Sequence, residues 1–241
     1  MPLVTASCGS SKLEAIAENI DNQCPISLGS MGYMAGAACS GDDIVFTTFV
    51  EEAYNDPAVF EANKDLWKRS VIQGMSGIDD PAFKKAIKEI ADAGGNIKLD
   101  MRAMQSEASA SLTLSCDELQ DIAESEPNPL NLLEARINLD NIFLPKVMDE
   151  GMKLTEVTIE GRYIVLNYVF DEDLYDVEVL DNAETKEAIR EYVLEKMDNS
   201  SDPAVNIPLK WFKEAGKGIA WRLIGNVSGR EAFVVAVEPD R

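Results

Sequence analysis

Residues 154–170 read Leu154-Thr155-Glu156-Val157-Thr158-Ile159-Glu160-Gly161-Arg162-Tyr163-Ile164-Val165-Leu166-Asn167-Tyr168-Val169-Phe170. Apolar Leu154, Val157 and Ile159 lead into a turn at Glu160-Gly161-Arg162, and Tyr163 to Phe170 is rich in β-forming residues. The stretch therefore predicts a hairpin. Sliding the chain by 120 positions brings a second hairpin under it, with Ser40-Gly41-Asp42 as the turn and Ile44 to Val50 as the strand.

The match extends outward in both directions. At the same offset Leu13-Glu14-Ala15 meets Leu133-Glu134-Ala135, Pro25 meets Pro145, Ile44-Val45 meets Ile164-Val165, and Glu52 meets Glu172. A two-residue insertion near position 60 changes the offset to 122. Beyond it Lys64 meets Lys186, Val71 meets Val193, Met75 meets Met197, and Asp80-Pro81-Ala82 meets Asp202-Pro203-Ala204. Ala93-Gly94 then meets Ala215-Gly216, and Ile97 meets Ile219. Identities in one order with one small insertion mark an internal duplication.

Each copy has the same predicted course. Leu13, Ile16, Ala17 and Ile20 stand at helical spacing, and the helix ends before Pro25, as its partner ends before Pro145. After the hairpin, Trp67, Val71 and Met75, or Ile189, Val193 and Met197, recur every four residues and predict a helix. Asp80-Pro81, or Asp202-Pro203, is an N-cap followed by proline at the first helical position. That second helix stops at Gly94 or Gly216, where glycine suits a left-handed cap. Pro208 stands where copy one has Ala86, so the second copy's helix is expected to start late or kink. A closing hairpin pairs Ile97–Ala103 with Ser109–Cys116, or Ile219–Ile224 with Glu231–Val237.

The expected fold is thus α+β: two tandem repeats, each α-β-β-α-α-β-β, with a four-stranded, mainly antiparallel sheet and helices on one face. The expected division is an N-terminal segment over 1–11, repeat one over 12–122, a linker over 123–130 and repeat two over 131–241. The linker is the polar Glu124-Ser125-Glu126-Pro127-Asn128-Pro129.

Composition bounds the chemistry. The 241 residues include 22 Lys+Arg, 43 Asp+Glu and no histidine, for a formal charge of -21. Histidine triads, Cys-His dyads and histidine metal sites are excluded. Nucleic acid is an unsuitable partner, since binding it rests on basic residues that neutralise phosphates. Residues 1–122 carry -10 and the rest -11, so neither half is basic. The longest uncharged run, Asn22 to Gly41, is broken by Pro25 and glycines and is no membrane span.

At the N-terminus, Ala6 and Ser7 before Cys8, with Leu3 and Val4 upstream, resemble the lipobox of bacterial lipoproteins, which makes Cys8 the lipidation candidate. Gly9-Ser10-Ser11-Lys12 is expected to be its tether. Only seven residues precede the box, so either a signal lies upstream of Met1 or the likeness is chance and Cys8 is an ordinary exposed thiol on an unmodified, frayed N-terminus. In the first case, peripheral membrane association would run through a lipid anchor.

The remaining candidates each have a plain structural alternative. Cys24 and Cys39 align with Leu144 and Ile159, which predicts buried free thiols; in an exported chain either could instead pair with Cys116, expected at the end of the last strand of copy one. Asp42-Asp43, Glu51-Glu52, Asp79-Asp80 and Asp171-Glu172-Asp173 are paired acids, but neighbours on a strand face opposite ways and form no clamp. The run Asp171–Asp181 is the best cation candidate and lacks EF-hand spacing, so a solvated acidic loop is expected. Met31 with Met34 and Met101 with Met104 have a Cu(I) spacing, yet Met34 and Met101 align with Leu154 and Leu223 and read as packing. Trp67 and Trp221 read as core, and Trp211 beside Phe212 is unsettled. Asn199-Ser200-Ser201 and Asn226-Val227-Ser228 are sequons, relevant only to a eukaryotic secretory protein. No catalytic residue, cofactor site or metal site is assigned.

In copy two, Leu144-Pro145, Met148-Asp149 and Leu154, followed by the strand Tyr163-Ile164-Val165-Leu166-Asn167-Tyr168, resemble uncharacterised envelope domains of lipoproteins from Bacteroides and relatives. Copy one keeps Pro25 but has Ser30 and Met31 at the acidic segment and Phe46 and Thr48 in the strand. The resemblance implies an envelope location and no mechanism. The expectation is a non-enzymatic, lipid-anchored binding or assembly module with a protein or glycan ligand, recognised at a cleft between the copies or along strand edges. The alternatives are a carboxylate-based glycan hydrolase, which needs a carboxyl of raised pKa facing a second across a cleft, and a soluble cytosolic protein.

Overall fold

The structure is a computed structural model that describes residues 8–199 and 212–239. It divides into unit 1, up to Leu132, and unit 2, from Leu133. The predicted Asp202-Pro203 helix start, the Pro208 kink, Trp211 and the Ala6-Ser7 part of the lipobox lie outside the described residues.

Unit 1 opens with helix α1, Cys8–Asp21, then the short strand β1, Ile26–Ser27, and the hairpin β2, Gly32–Ser40, with β3, Asp43–Val50. Four helices follow: α2, Glu52–Asn55; α3, Pro57–Ala62; α4, Lys64–Gly77; and α5, Pro81–Asp92. The hairpin β4, Asn96–Ala103, with β5, Ser109–Leu114, leads to α6, Cys116–Glu124. The helix α7, Pro129–Asn141, spans the division between the units. Unit 2 then runs β6, Lys146–Asp149; β7, Met152–Glu160; β8, Tyr163–Phe170; α8, Val177–Leu180; α9, Ala183–Asn199; β9, Gly218–Gly225; and β10, Glu231–Val237.

The chain is α+β, and each unit holds one sheet, in the order β1-β2-β3-β4-β5 and β10-β9-β8-β7-β6. Two details differ from the expectation. A fifth short strand, β1 or β6, lies outside each hairpin, and β3 with β4, like β8 with β9, is parallel while the other pairings are antiparallel. The helical connection between those two strands carries the chain back to its starting end, which a tight turn cannot do.

Register carries the duplication into three dimensions. Gly32 pairs with Val50 as Met152 pairs with Phe170, and the ladder slips between Met34 and Gly36 as it does between Leu154 and Glu156. Asp43 pairs with Asn96 and Tyr163 with Gly218. Both sequence offsets are therefore reproduced by the strand pairing. Pro25 and Pro145 each follow a cis peptide bond.

In unit 1 the buried face of the sheet presents Ile44, Val50, Ile97, Ala103, Leu112 and Leu114, while the opposite positions hold Lys98, Asp100, Arg102, Ser109 and Thr113. In unit 2, Tyr168, Phe170, Leu223 and Val234 pack with Val177 of α8, and Ile189 of α9 packs against them. Each large side chain buried this way contributes about 1.5–3 kcal/mol. Trp67 is core, 5.2 Å from the Phe60 ring, and Trp221 is half-buried against Tyr168 at 5.2 Å.

The caps fall where the sequence puts them. The Asp80 carboxylate accepts from Ala82 and Phe83 N–H at 2.8 and 3.3 Å, with Pro81 at the first position of α5. Gly94 and Gly216 adopt φ of 73° and 62°, and the hairpin glycines Gly41 and Gly161 adopt 65° and 57°. The expected end of copy one does not hold: Cys116 starts α6 rather than ending a strand. Ser115 and Glu118 form a reciprocal capping box there, which converts the chain to helix. Likewise Gly9, Ser10 and Ser11 lie within α1, so they extend a helix rather than form a tether.

Candidate functional site

Glu172, matched to Glu52 in sequence, organises one end of unit 2. Its Oε2 accepts from Val227 and Ser228 N–H, both at 2.7 Å, and its Oε1 from the Ser228 hydroxyl at 2.6 Å. These donors lie in the turn between β9 and β10. The Ser228 hydroxyl bond, then the two backbone bonds, hold the Glu172 pKa below its ordinary value. Gly225 leaves room for it, because a Cβ there would lie 2.6 Å from the Glu172 carboxyl carbon and displace the carboxylate from these donors. Glu52 does the same work in unit 1, accepting from Gln105 N–H at 3.1 Å and the Ser106 hydroxyl at 2.6 Å.

Two further loops join that end. Asp171 N–H donates to Gly151 O at 2.8 Å, and the Tyr175 hydroxyl donates to Glu150 O at 3.0 Å. Leu174 lies over Gly151, whose missing Cβ would be 2.6 Å from the leucine Cδ1. The Arg230 guanidinium reaches Glu178 of α8 at 3.7 Å. The segments 149–151, 171–178 and 226–230 are therefore tied into one surface, beyond the carboxyl ends of the parallel strands β8 and β9.

The acidic run 171–181 is a folded element in which several of the acids serve the backbone or an ion pair. Asp176 caps α8 by accepting from Glu178 N–H at 2.8 Å, Asp181 pairs with Lys186 at 2.8 Å, and Glu172 serves the turn. Among the described residues no group of three or more acidic or cysteine side chains is arranged to hold a metal.

A second polar array crosses the sheet of unit 2. Arg222 of β9 forms paired 2.7 Å bonds with both Glu160 oxygens, bonds Asn167 Oδ1 at 3.1 Å, and lies 3.6 Å from Glu231. Its guanidinium stands 5.8 Å from the Phe233 ring centre. Two carboxylates from different strands thus meet, but around an arginine. The Arg222 hydrogen bond holds Glu160 below the usual carboxylate range, which favours the ionised form and not a proton donor. Burial raises the Asp140 pKa, opposed by Arg136 at 2.9 Å on the same helix.

The other sequence candidates have ordinary settings. Cys24, Cys39 and Cys116 are free thiols, half-buried rather than fully buried, and no Cys116 pairing forms. Burial, then Glu14, Asp42 and Asp43, raise the Cys39 pKa, opposite to what an activated nucleophile requires. Met101 shares the face of Ile97 and Ala103, while Met104 is half exposed in the following turn. Cys8 is the first residue of α1. A shallow groove of about 420 Å³ in unit 1 is lined by Asp65, Lys68, Arg69, Ile72 and Glu118, with Lys68 and Glu118 paired at 2.8 Å.

Sequence reading missed the Arg222–Glu160 pair and the role of Glu172. Retention of Glu52 and Glu172 at one repeat position was the available signal for the second. Nothing in the repeat points to the first, because Ser40 and Asp100 stand at the matching positions of unit 1.

No family model matches the chain, and no curated protein matches it. Among solved structures, a protein of Pseudomonas aeruginosa described as a "putative secreted protein" is similar over 46% of this chain and 92% of its own, with 11% identity and a TM-score of 0.38.

Proposed function

We propose that this protein is a binding or assembly module of the bacterial envelope, anchored through lipid on Cys8, rather than an enzyme. One observation carries the binding half of that reading: the side chains matched between the copies hold the backbone. Glu52 and Glu172 fix equivalent turns, Asp56 and Asp176 cap equivalent helices, and Asp21 and Asn141 bind equivalent β-strand amides. What both copies retain is scaffold, and of the paired acids Glu52, Asp80 and Glu172 are occupied in it. The lipobox-like setting of Cys8 and the likeness to envelope lipoproteins support the location.

Mass spectrometry of the N-terminus of protein from its native cells tests the anchor. The expected species begins at Cys8 and carries acyl chains. A native chain beginning at unmodified Met1 or Pro2 overturns the envelope reading.

A further inference from the structure

Exposed apolar side chains in this protein are concentrated at one place. Nine large hydrophobic side chains are exposed among the described residues, and five of them, Val147, Met148, Leu174, Val179 and Val227, belong to one end of unit 2. Val227, at the tip of the β9–β10 turn, is 85% exposed. An isolated exposed apolar residue is ordinary, but a group on loops tied together by hydrogen bonds marks an interaction surface. Folding does not require these side chains to face water: the turn is fixed by Glu172 and Ser228, and α8 is anchored by buried Val177.

Charge decides what fits there. Segments 146–153, 171–181 and 226–230 contain eight acidic side chains and three basic ones. Asp149, Glu150 and Asp173 stand without an ion pair among the described residues. A second copy of the chain would bring the same acids against them, and an anionic bilayer would be repelled. A segment bearing aliphatic and basic residues would satisfy both features of the surface.

We propose that this end of unit 2, with Leu174, Val179 and Val227 set among Asp149, Glu150 and Asp173, docks a cationic amphipathic segment of a partner protein. The inference rests on the binding reading above and names its surface and partner chemistry. The aliphatic contacts supply affinity, and the acids supply orientation and rate of encounter.

The test uses the full chain and a labelled peptide with leucines and lysines at amphipathic helical spacing, followed by fluorescence anisotropy. Saturable binding is expected, weakened about tenfold or more by the pair Leu174→Ser with Val227→Ser, and equally by Glu150→Lys with Asp173→Lys. The pair Asp121→Lys with Glu126→Lys makes the same charge change on exposed acids of unit 1 and is expected to leave binding unchanged. Thermal melts confirm that each variant is folded. Equal weakening by the unit 1 pair, or no saturation up to about 100 µM peptide, overturns the proposal. A chain lipidated on Cys8 that ignores the peptide overturns this inference alone; a chain that binds it without lipid overturns only the anchor.

Discussion

Glu172 accepts the Ser228 hydroxyl at 2.6 Å, and Glu52 accepts the Ser106 hydroxyl at the same distance in the other unit. One glutamate after β3 or β8 thus closes the turn of the last hairpin in each unit. Replacing Glu172 by Ala should loosen the β9–β10 turn, read as faster amide exchange and proteolysis over 226–230 with unit 1 unaffected. Unchanged exchange there would refute the role.

The same carboxylate makes the turn acid-sensitive. Its folded pKa lies below the ordinary 4.5, so the unfolded state binds the proton more readily. The stabilisation is complete above the ordinary value and is lost as pH falls through the lowered one. Amide exchange at Val227 and Ser228 should accelerate in that acid window in the native chain, and Glu172→Gln should remove the transition.

Lys84 offers a second test. Its Nζ donates to Ser76 O at 3.0 Å, Ile122 O at 2.7 Å and Ser125 Oγ at 2.6 Å, joining the last turns of α4 and α6. Helix C-terminal carbonyls favour a cation, although burial lowers the lysine pKa. Lys84→Met removes these charged donors and should cost about 2 kcal/mol, measured by urea unfolding. A change below about 0.5 kcal/mol would show the network to be dispensable.

Asn141 closes the β7 bulge by donating to Val157 O and accepting from Val157 N–H, both at 2.8 Å. Asp21 at the matching position accepts Ala37 N–H at 3.1 Å. Asn141→Ala should destabilise unit 2 by about 2 kcal/mol, since two part-buried backbone groups lose their partner. Asn141→Asp should cost less, because it keeps the acceptor. Equal losses would contradict that assignment.

Gly161→Ala isolates a backbone effect. At φ 57°, its added Cβ would meet nothing within 4 Å, so only the left-handed conformation is penalised. A loss of about 1 kcal/mol is expected, again by urea unfolding, with Gly41→Ala matching it.

The repeat was legible because each strand keeps its residue-by-residue pairing in both units: the offset is 120 through β2 and β3 and 122 through β4, the two extra residues falling in the helical connection. Asp80-Pro81, Gly94 and the hairpin glycines were legible for a local reason, as their conformations depend on a few neighbouring residues. The start of α6 was not read, although Ser115 and Glu118 form a capping box, because the alignment with copy two suggested continued strand.

The sequence by itself determined the duplication, the α+β class, the cap and turn positions and the exclusion of histidine chemistry, all set by composition or short-range pattern. Only the tertiary structure decided the parallel pairing of β3 with β4, the Arg222–Glu160 bond and the work of Glu172. Each depends on groups brought together across more than fifty residues, where sequence spacing places no constraint on distance. The same long-range closure brings the loops of Leu174 and Val227 to one end of unit 2 through the bonds of Glu172 to Val227 and Ser228.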